Sequence, residues 1–239
     1  MTGTVPHPGA RPVERRIHVS QGVEVSALLL EPPRPRALYV LAHGAGAGMR
    51  HPFMESIAQG LATRGIGTLR YQFPYMEHGR RRIDPEPIVL ETVRAAVEAG
   101  REAAGGRPLL AGGKSFGGRM TSRAAAGPAL RAGTAPLAGV AGLVFLGFPL
   151  HPAGQPGVSR ADHLAKVDLP MLFLQGTRDT LADLALLEPI VRKLGDRATL
   201  RVIEHADHSF HVQKRSGRTD DQVLDELVAA VAGWLEARA

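Results

Sequence analysis

Leu109-Leu110-Ala111-Gly112-Gly113-Lys114-Ser115-Phe116-Gly117-Gly118 decides how this chain is read. Leu109–Gly112 has the short apolar character of a buried strand. Phe116–Ala126 reads as a helix closed by Gly127-Pro128. Between them stands Gly113-Lys114-Ser115-Phe116-Gly117, a complete G-x-S-x-G in a strand–turn–helix setting. A turn this sharp strains the serine backbone, and the residues two positions to either side must lack side chains to avoid collision. Gly113 and Gly117 meet that demand, and Gly118 lets helix and sheet approach closely. The turn lifts the Ser115 hydroxyl to the sheet edge at a helix N-terminus, where the dipole favours developing negative charge. Ser115 is the candidate nucleophile.

Two other glycine-loop readings fail. A phosphate-binding P-loop ending in Gly113-Lys114-Ser115 requires glycine where Pro108 stands. His43-Gly44-Ala45-Gly46-Ala47-Gly48 follows a strand but spells G-x-G-x-G, not the dinucleotide fingerprint G-x-G-x-x-G.

Working outward, short apolar runs alternate with longer helical patterns. Strands are expected at Arg16–Ser20 and Val23–Glu31, as a hairpin about Gln21-Gly22, then at Ala37–Ala42, Ile66–Phe73, Ala138–Phe148, Met171–Gln175 and Thr199–Glu204. Helices are expected at His51–Arg64, Glu86–Ala104 and Asp220–Arg238. This alternation predicts an α/β fold, a mostly parallel sheet with helices on both faces. Such sheets carry their chemistry in the loops at the carboxyl ends of the strands.

A serine hydroxyl needs a base, and in this architecture the order is Ser, then acid, then His. Gly176-Thr177-Arg178-Asp179 follows a strand and offers Asp179 as the acid, although an aspartate here also suits a helix N-cap. Asp183 is the alternative, expected inside the next helix. After the last strand comes His205-Ala206-Asp207-His208-Ser209-Phe210-His211. His208, mid-loop, is the expected base; His205 abuts the strand and His211 is the weaker candidate. A metal reading of this cluster lacks a second ligand cluster, so no metal and no cofactor is called for. The oxyanion of an acyl-transfer intermediate needs backbone donors, here Phe116 N–H and Ala45 N–H.

Together, His43-Gly44-Ala45, Gly113–Gly117, Gly176–Asp179 and the His205–Phe210 run resemble the α/β-hydrolase superfamily from about Val23 to the C-terminus. Within it the chain resembles the small, uncapped dienelactone-hydrolase-like group. Arg70–Glu77 and His51–Met54 are similar to a branch that includes the hydrolase-like subunit of the nonspecific-lethal histone acetyltransferase complex. The resemblance implies an eight-stranded sheet, no large cap domain and a Ser115–Asp179–His208 triad. Classical dienelactone hydrolases use a cysteine nucleophile, and this chain has none, so dienelactone itself is not implied. Pro149–Asp168 is too short for a substantial cap.

The chain has 239 residues, 44% of them hydrophobic and none of them Cys, so disulfides, Cys-ligated metal and thiol catalysis are excluded. Met1–Arg16 has no apolar segment of signal-peptide type, and no run approaches the roughly 20 apolar residues of a membrane span. A cytoplasmic protein is expected, with residues 1–15 a flexible segment and 16–239 one domain. The net charge of +6 comes almost wholly from scattered Arg. Without a long basic tract or many aromatics it argues against a nucleic-acid partner.

The sequence points to a serine hydrolase of carboxylic esters or thioesters acting on a small-molecule acyl substrate, with oligomeric state open. The alternative is a catalytically silent binding or scaffold protein on the same fold. Tyr75, Lys114 and Arg80 are candidate substrate contacts, Tyr75 either lining an acyl pocket or packing the loop beneath it. Arg50, Arg80–Arg82, Lys114 and Arg119 read first as solvated surface charge; the alternative is that they give the site mouth a positive field favouring anionic acyl groups.

Overall fold

The structure is a computed structural model that describes residues 11–20, 22–128 and 136–238. Eight strands form one sheet: β1 (Val13–Ser20), β2 (Val23–Leu30), β3 (Ala37–Ala42), β4 (Ile66–Tyr71), β5 (Leu109–Lys114), β6 (Val140–Leu146), β7 (Met171–Gly176) and β8 (Ala198–Ile203). Their spatial order is β1-β2-β4-β3-β5-β6-β7-β8. The β1–β2 and β2–β4 pairings are antiparallel, and every pairing from β4 to β8 is parallel. The expected mostly parallel, eight-stranded α/β-hydrolase sheet is what forms.

Among the described residues, six α-helices accompany it: α1 (Pro52–Thr63), α2 (Pro74–Glu77), α3 (Glu86–Ala104), α4 (Phe116–Ala126), α5 (Leu184–Leu194) and α6 (Asp220–Glu236). The central strands are buried on both faces and read as continuous apolar runs, yet their period of two still sorts side chains between two cores. On β6 and β7, Leu143, Phe145, Met171 and Phe173 join the core beneath α3, α4 and α5. Val144, Leu146, Leu172 and Leu174 join the opposite core, against α1 and α6. At ~25 cal/mol per Å² of apolar surface, these two layers are the main favourable term holding the sheet between its helices.

Several boundaries move, each for a local reason. β1 starts at Val13, three residues before Arg16, because its backbone pairs out to Val13↔Leu29. Of the expected N-terminal segment, residues 1–10 lie outside the described residues, as does Gln21 of the expected hairpin turn. β5 continues through Gly112 and Gly113 to Lys114, paired with β3 as far as Gly113 and with β6 to its end. β4 stops at Tyr71, short of Phe73, and Pro74 opens α2, a turn the sequence pattern does not announce. β6 is shorter than Ala138–Phe148 because Gly139 and Gly147 both take positive φ. Between Leu146 and β7 there is only loop and a short 3₁₀ segment, Ser159–Lys166, so no cap domain covers the sheet edge. Among the described residues, no helix is long and apolar enough to cross a membrane.

Candidate active site

Ser115 sits between β5 and α4 with φ 48° and ψ −114°, a strained conformation for a non-glycine residue. The glycines around it permit that turn. A Cβ on Gly113 would lie 2.2 Å from the Ala42 carbonyl oxygen, and one on Gly117 would lie 2.6 Å from that of His43. β3 and α4 therefore close directly on the turn, and any side chain at either position would push them apart. Ser115 N–H donates to Leu146 O at 3.1 Å, tying the turn to β6.

The histidine loop, residues 204–213, is braced from within. The Asp207 carboxylate accepts from Ser209 N–H at 2.8 Å and His211 N–H at 3.0 Å, and Ala206 bridges to Val212. His208 projects from this brace, with Nε2 2.8 Å from Ser115 Oγ and Nδ1 2.7 Å from Asp179 Oδ2. A carboxylate only accepts, so Nδ1 carries the proton and donates to Asp179, while Nε2 accepts from the serine hydroxyl. Serine, histidine and aspartate thus form one hydrogen-bonded row across the ends of β5, β8 and β7.

Asp179 is buried and fully engaged. Besides His208 it accepts from Gln175 Nε2 at 2.5 Å and from Leu181 N–H at 2.8 Å. The N-cap role belongs to Asp183, which accepts from Ala185 N–H at 2.9 Å, so the helix begins later than expected. His205 N–H donates to Thr177 Oγ1 at 2.8 Å, and exposed His211 contacts the Asp220 carboxylate at 2.8 Å; neither reaches Ser115. Asp220 raises His211 above the usual imidazole range.

The loop after β3 is pinned by two residues. Buried His43 accepts from Phe73 N–H through Nε2 at 3.2 Å, so its Nδ1–H donates to Gly44 O at 2.7 Å. Burial holds this ring neutral by lowering its pKa to about 4. Tyr75 is buried, its hydroxyl accepting from Gly46 N–H at 3.0 Å, which is the packing alternative of its two readings. Ala45 itself is exposed, and Phe116 begins α4 beside Ser115.

The basic candidates have the following protein surroundings. Arg80 pairs with Asp84 at 2.8 Å, and Arg50 pairs with Glu14. Lys114 Nζ turns to the His208 main-chain carbonyl at 2.5 Å. Arg119, one turn after Ser115, is pulled down by burial and then by Arg160 and Arg123, so it lies among like charges.

A second serine–histidine contact, Ser122 Oγ to His163 Nε2 at 2.8 Å, has a different character. The Ser122 hydroxyl donates to Arg119 O at 2.8 Å, leaving His163 as the donor to it. Burial, reinforced by Arg123 and Arg119, lowers His163 to about 4. This pair braces α4 against the 3₁₀ segment.

Gln175 and the anchoring role of His43 escape the sequence reading. Each has a signal in hindsight: a polar residue ending an apolar strand and buried completely. No group of three or more candidate metal ligands occurs among the described residues.

An alpha/beta hydrolase domain model matches residues 35–236. Among solved structures, the chain is similar to dienelactone hydrolase from Anabaena variabilis, with a TM-score of 0.72, 20% identity and coverage of 95% of this chain and 99% of that one. A lid-less α/β serine hydrolase from Xanthomonas campestris gives a TM-score of 0.70 at 19% identity, covering 94% and 95%. An alpha-beta serine hydrolase homologue from Coxiella burnetii gives 0.70 at 18% identity, covering 91% and 96%. These likenesses are of fold, and the match over residues 35–236 is of family: the chain belongs to the alpha/beta hydrolases.

Proposed function

We propose that the protein is a serine hydrolase that cleaves carboxylic esters or thioesters through an acyl-enzyme. The observation that carries this reading is the row Asp179–His208–Ser115, joined at 2.7 and 2.8 Å with the serine on a strained turn. Ser115 Oγ attacks the carbonyl carbon while His208 Nε2 takes its proton. Asp179 keeps the imidazole in the reactive tautomer and stabilises the imidazolium. The oxyanion is received by the Phe116 and Ala45 N–H groups. Collapse expels the alcohol or thiol, which leaves with the proton held on His208. Water then enters and bonds to the acyl carbon as it gives a proton to the same nitrogen, and the acid leaves as the bond to Ser115 Oγ breaks and that proton returns to the serine.

With a short 3₁₀ segment in place of a cap, the site is open. That supports small or exposed acyl groups over long buried chains. A panel of short-chain esters and thioesters, run on wild type and Ser115→Ala, tests the reading. Removing the nucleophile of such a triad costs roughly 10⁶ in kcat. Absence of turnover in folded wild type would move the weight to a silent scaffold on the hydrolase fold, whereas turnover that survives the substitution unchanged would remove Ser115 as the nucleophile.

A further inference from the structure

Lys114 holds the variable place in G-x-S-x-G, and its side chain runs between the two loops that flank Ser115. Its stem passes the oxyanion loop, where a Cβ on Gly44 would meet Lys114 Cγ at 3.5 Å. Its Nζ donates to the main-chain carbonyl of His208 at 2.5 Å, joining positions 94 residues apart in the chain. The ammonium lies 5.3 Å from the centroid of Phe210 and 5.9 Å from that of Phe53, two rings stacked at 5.8 Å. Gly147 leaves room for this packing. With φ +73°, it would place a Cβ 3.1 Å from Lys114 Nζ and 3.5 Å from His208 Cε1 and Nδ1.

An ammonium in such surroundings is costly unless it is hydrogen-bonded or paired. Here one carbonyl and two ring faces receive it. The titratable groups that face it are Asp179 from the end of β7, and Asp207 and His208 from the histidine loop. Phe53 from α1, Gly44 from the oxyanion loop and Gly147 from the end of β6 carry no charge. Burial prevails over the two aspartates and lowers Lys114 to about 8. An apolar side chain of the same length would fill the space without that cost, so the charge itself calls for a purpose.

We propose that Lys114 is a positioning residue: by fixing the main chain of His208 it holds the imidazole in register with Ser115. This rests on the Ser115–His208 reading above. The charged group makes the stronger hydrogen bond. As pH rises through about 8 the ammonium becomes an amine, the bond and the ring contacts weaken, and His208 loosens. A misplacement near 1 Å at a reacting group costs about 10²-fold.

The test compares wild type, Lys114→Met and Lys114→Arg in p-nitrophenyl acetate hydrolysis from acid to alkaline pH. Fluorophosphonate labelling rates and thermal melting are recorded alongside. Wild type should lose kcat/KM above pH about 8. Lys114→Met should lower kcat by about 10- to 100-fold with KM nearly constant, and should lack the alkaline fall. Lys114→Arg, whose guanidinium does not titrate in this range, should keep most of the rate and carry its alkaline fall to higher pH. A folded Lys114→Met with wild-type kcat and pH profile overturns the proposal. So does an alkaline fall left in place in Lys114→Arg, which decides the matter even if the methionine variant fails to fold. Absence of labelling and turnover in wild type itself overturns the hydrolase reading beneath it, a result distinct from either.

Discussion

His43 Nδ1–H donates to the carbonyl of Gly44 at 2.7 Å, and that carbonyl shares a peptide unit with the N–H of Ala45. In a trans peptide the two groups point opposite ways. Holding the carbonyl toward the His43 ring therefore aims the Ala45 N–H away from it. The ring is itself oriented by Phe73 N–H, which donates to Nε2. His43→Ala frees this plane. It should lower kcat by about 10- to 100-fold, short of the 10²–10³ lost with an oxyanion donor removed outright, with a smaller change in KM. Steady-state kinetics on a short-chain ester checks this, and an unchanged kcat in a folded variant would remove the proposed oxyanion role of the His43–Ala45 loop.

Two histidines, buried His43 and partly buried His163, are each lowered by burial to about 4 from 6.5. Between those pH values the unfolded chain binds more protons than the folded one, so stability rises with pH. The stabilisation is fully present above about 6.5 and is lost as pH falls toward about 4. Thermal melting followed from pH 7 to 4 should show this decline. His163→Gln should make it shallower, removing one of the two linked protons; an equal slope in the variant would contradict the burial account.

Arg70 is completely buried on β4, where its Nη1 meets Glu55 at 2.6 Å and donates to Met49 O at 3.2 Å. Its Nε and Nη2 have no acceptor. Removing Glu55 leaves a cation inside the sheet with one carbonyl for company. Because Glu55 is partly exposed, Glu55→Ala should cost about 2–3 kcal/mol, toward the lower end for a broken buried pair. Denaturant unfolding measures it, and a loss under about 0.5 kcal/mol, as for a surface pair, would show that Arg70 finds another partner.

The elements most legible in the sequence are those where backbone geometry permits few residue types. The Gly113–Gly118 turn belongs here, because β3 carbonyls stand within 3 Å of where side chains would be. Alternation made it legible that the loops carrying Ser115, Asp179 and His208 share the carboxyl edge of a parallel sheet, but not the order of the strands. Less legible was anything decided by side-chain direction. Lys114, Tyr75 and Arg80 sit in strand-end segments, as a substrate contact would. Yet they turn toward a carbonyl, a loop amide and Asp84, respectively. Asp179 and Asp183 are chemically identical and four residues apart, and only the position of the first turn of α5 tells acid from cap. Gln175 is hidden for a similar reason: nothing in Met171–Gly176 says that its one polar side chain reaches both Asp179 and Phe148 N–H.

The most direct test of the account is intact-mass detection of a fluorophosphonate adduct on wild type and on Ser115→Ala. The geometry at Ser115 predicts one stoichiometric adduct on wild type, absent from the variant and mapped to the peptide that contains Ser115. A folded wild-type protein that takes up no label, or label that persists in Ser115→Ala, would contradict an activated serine at this turn.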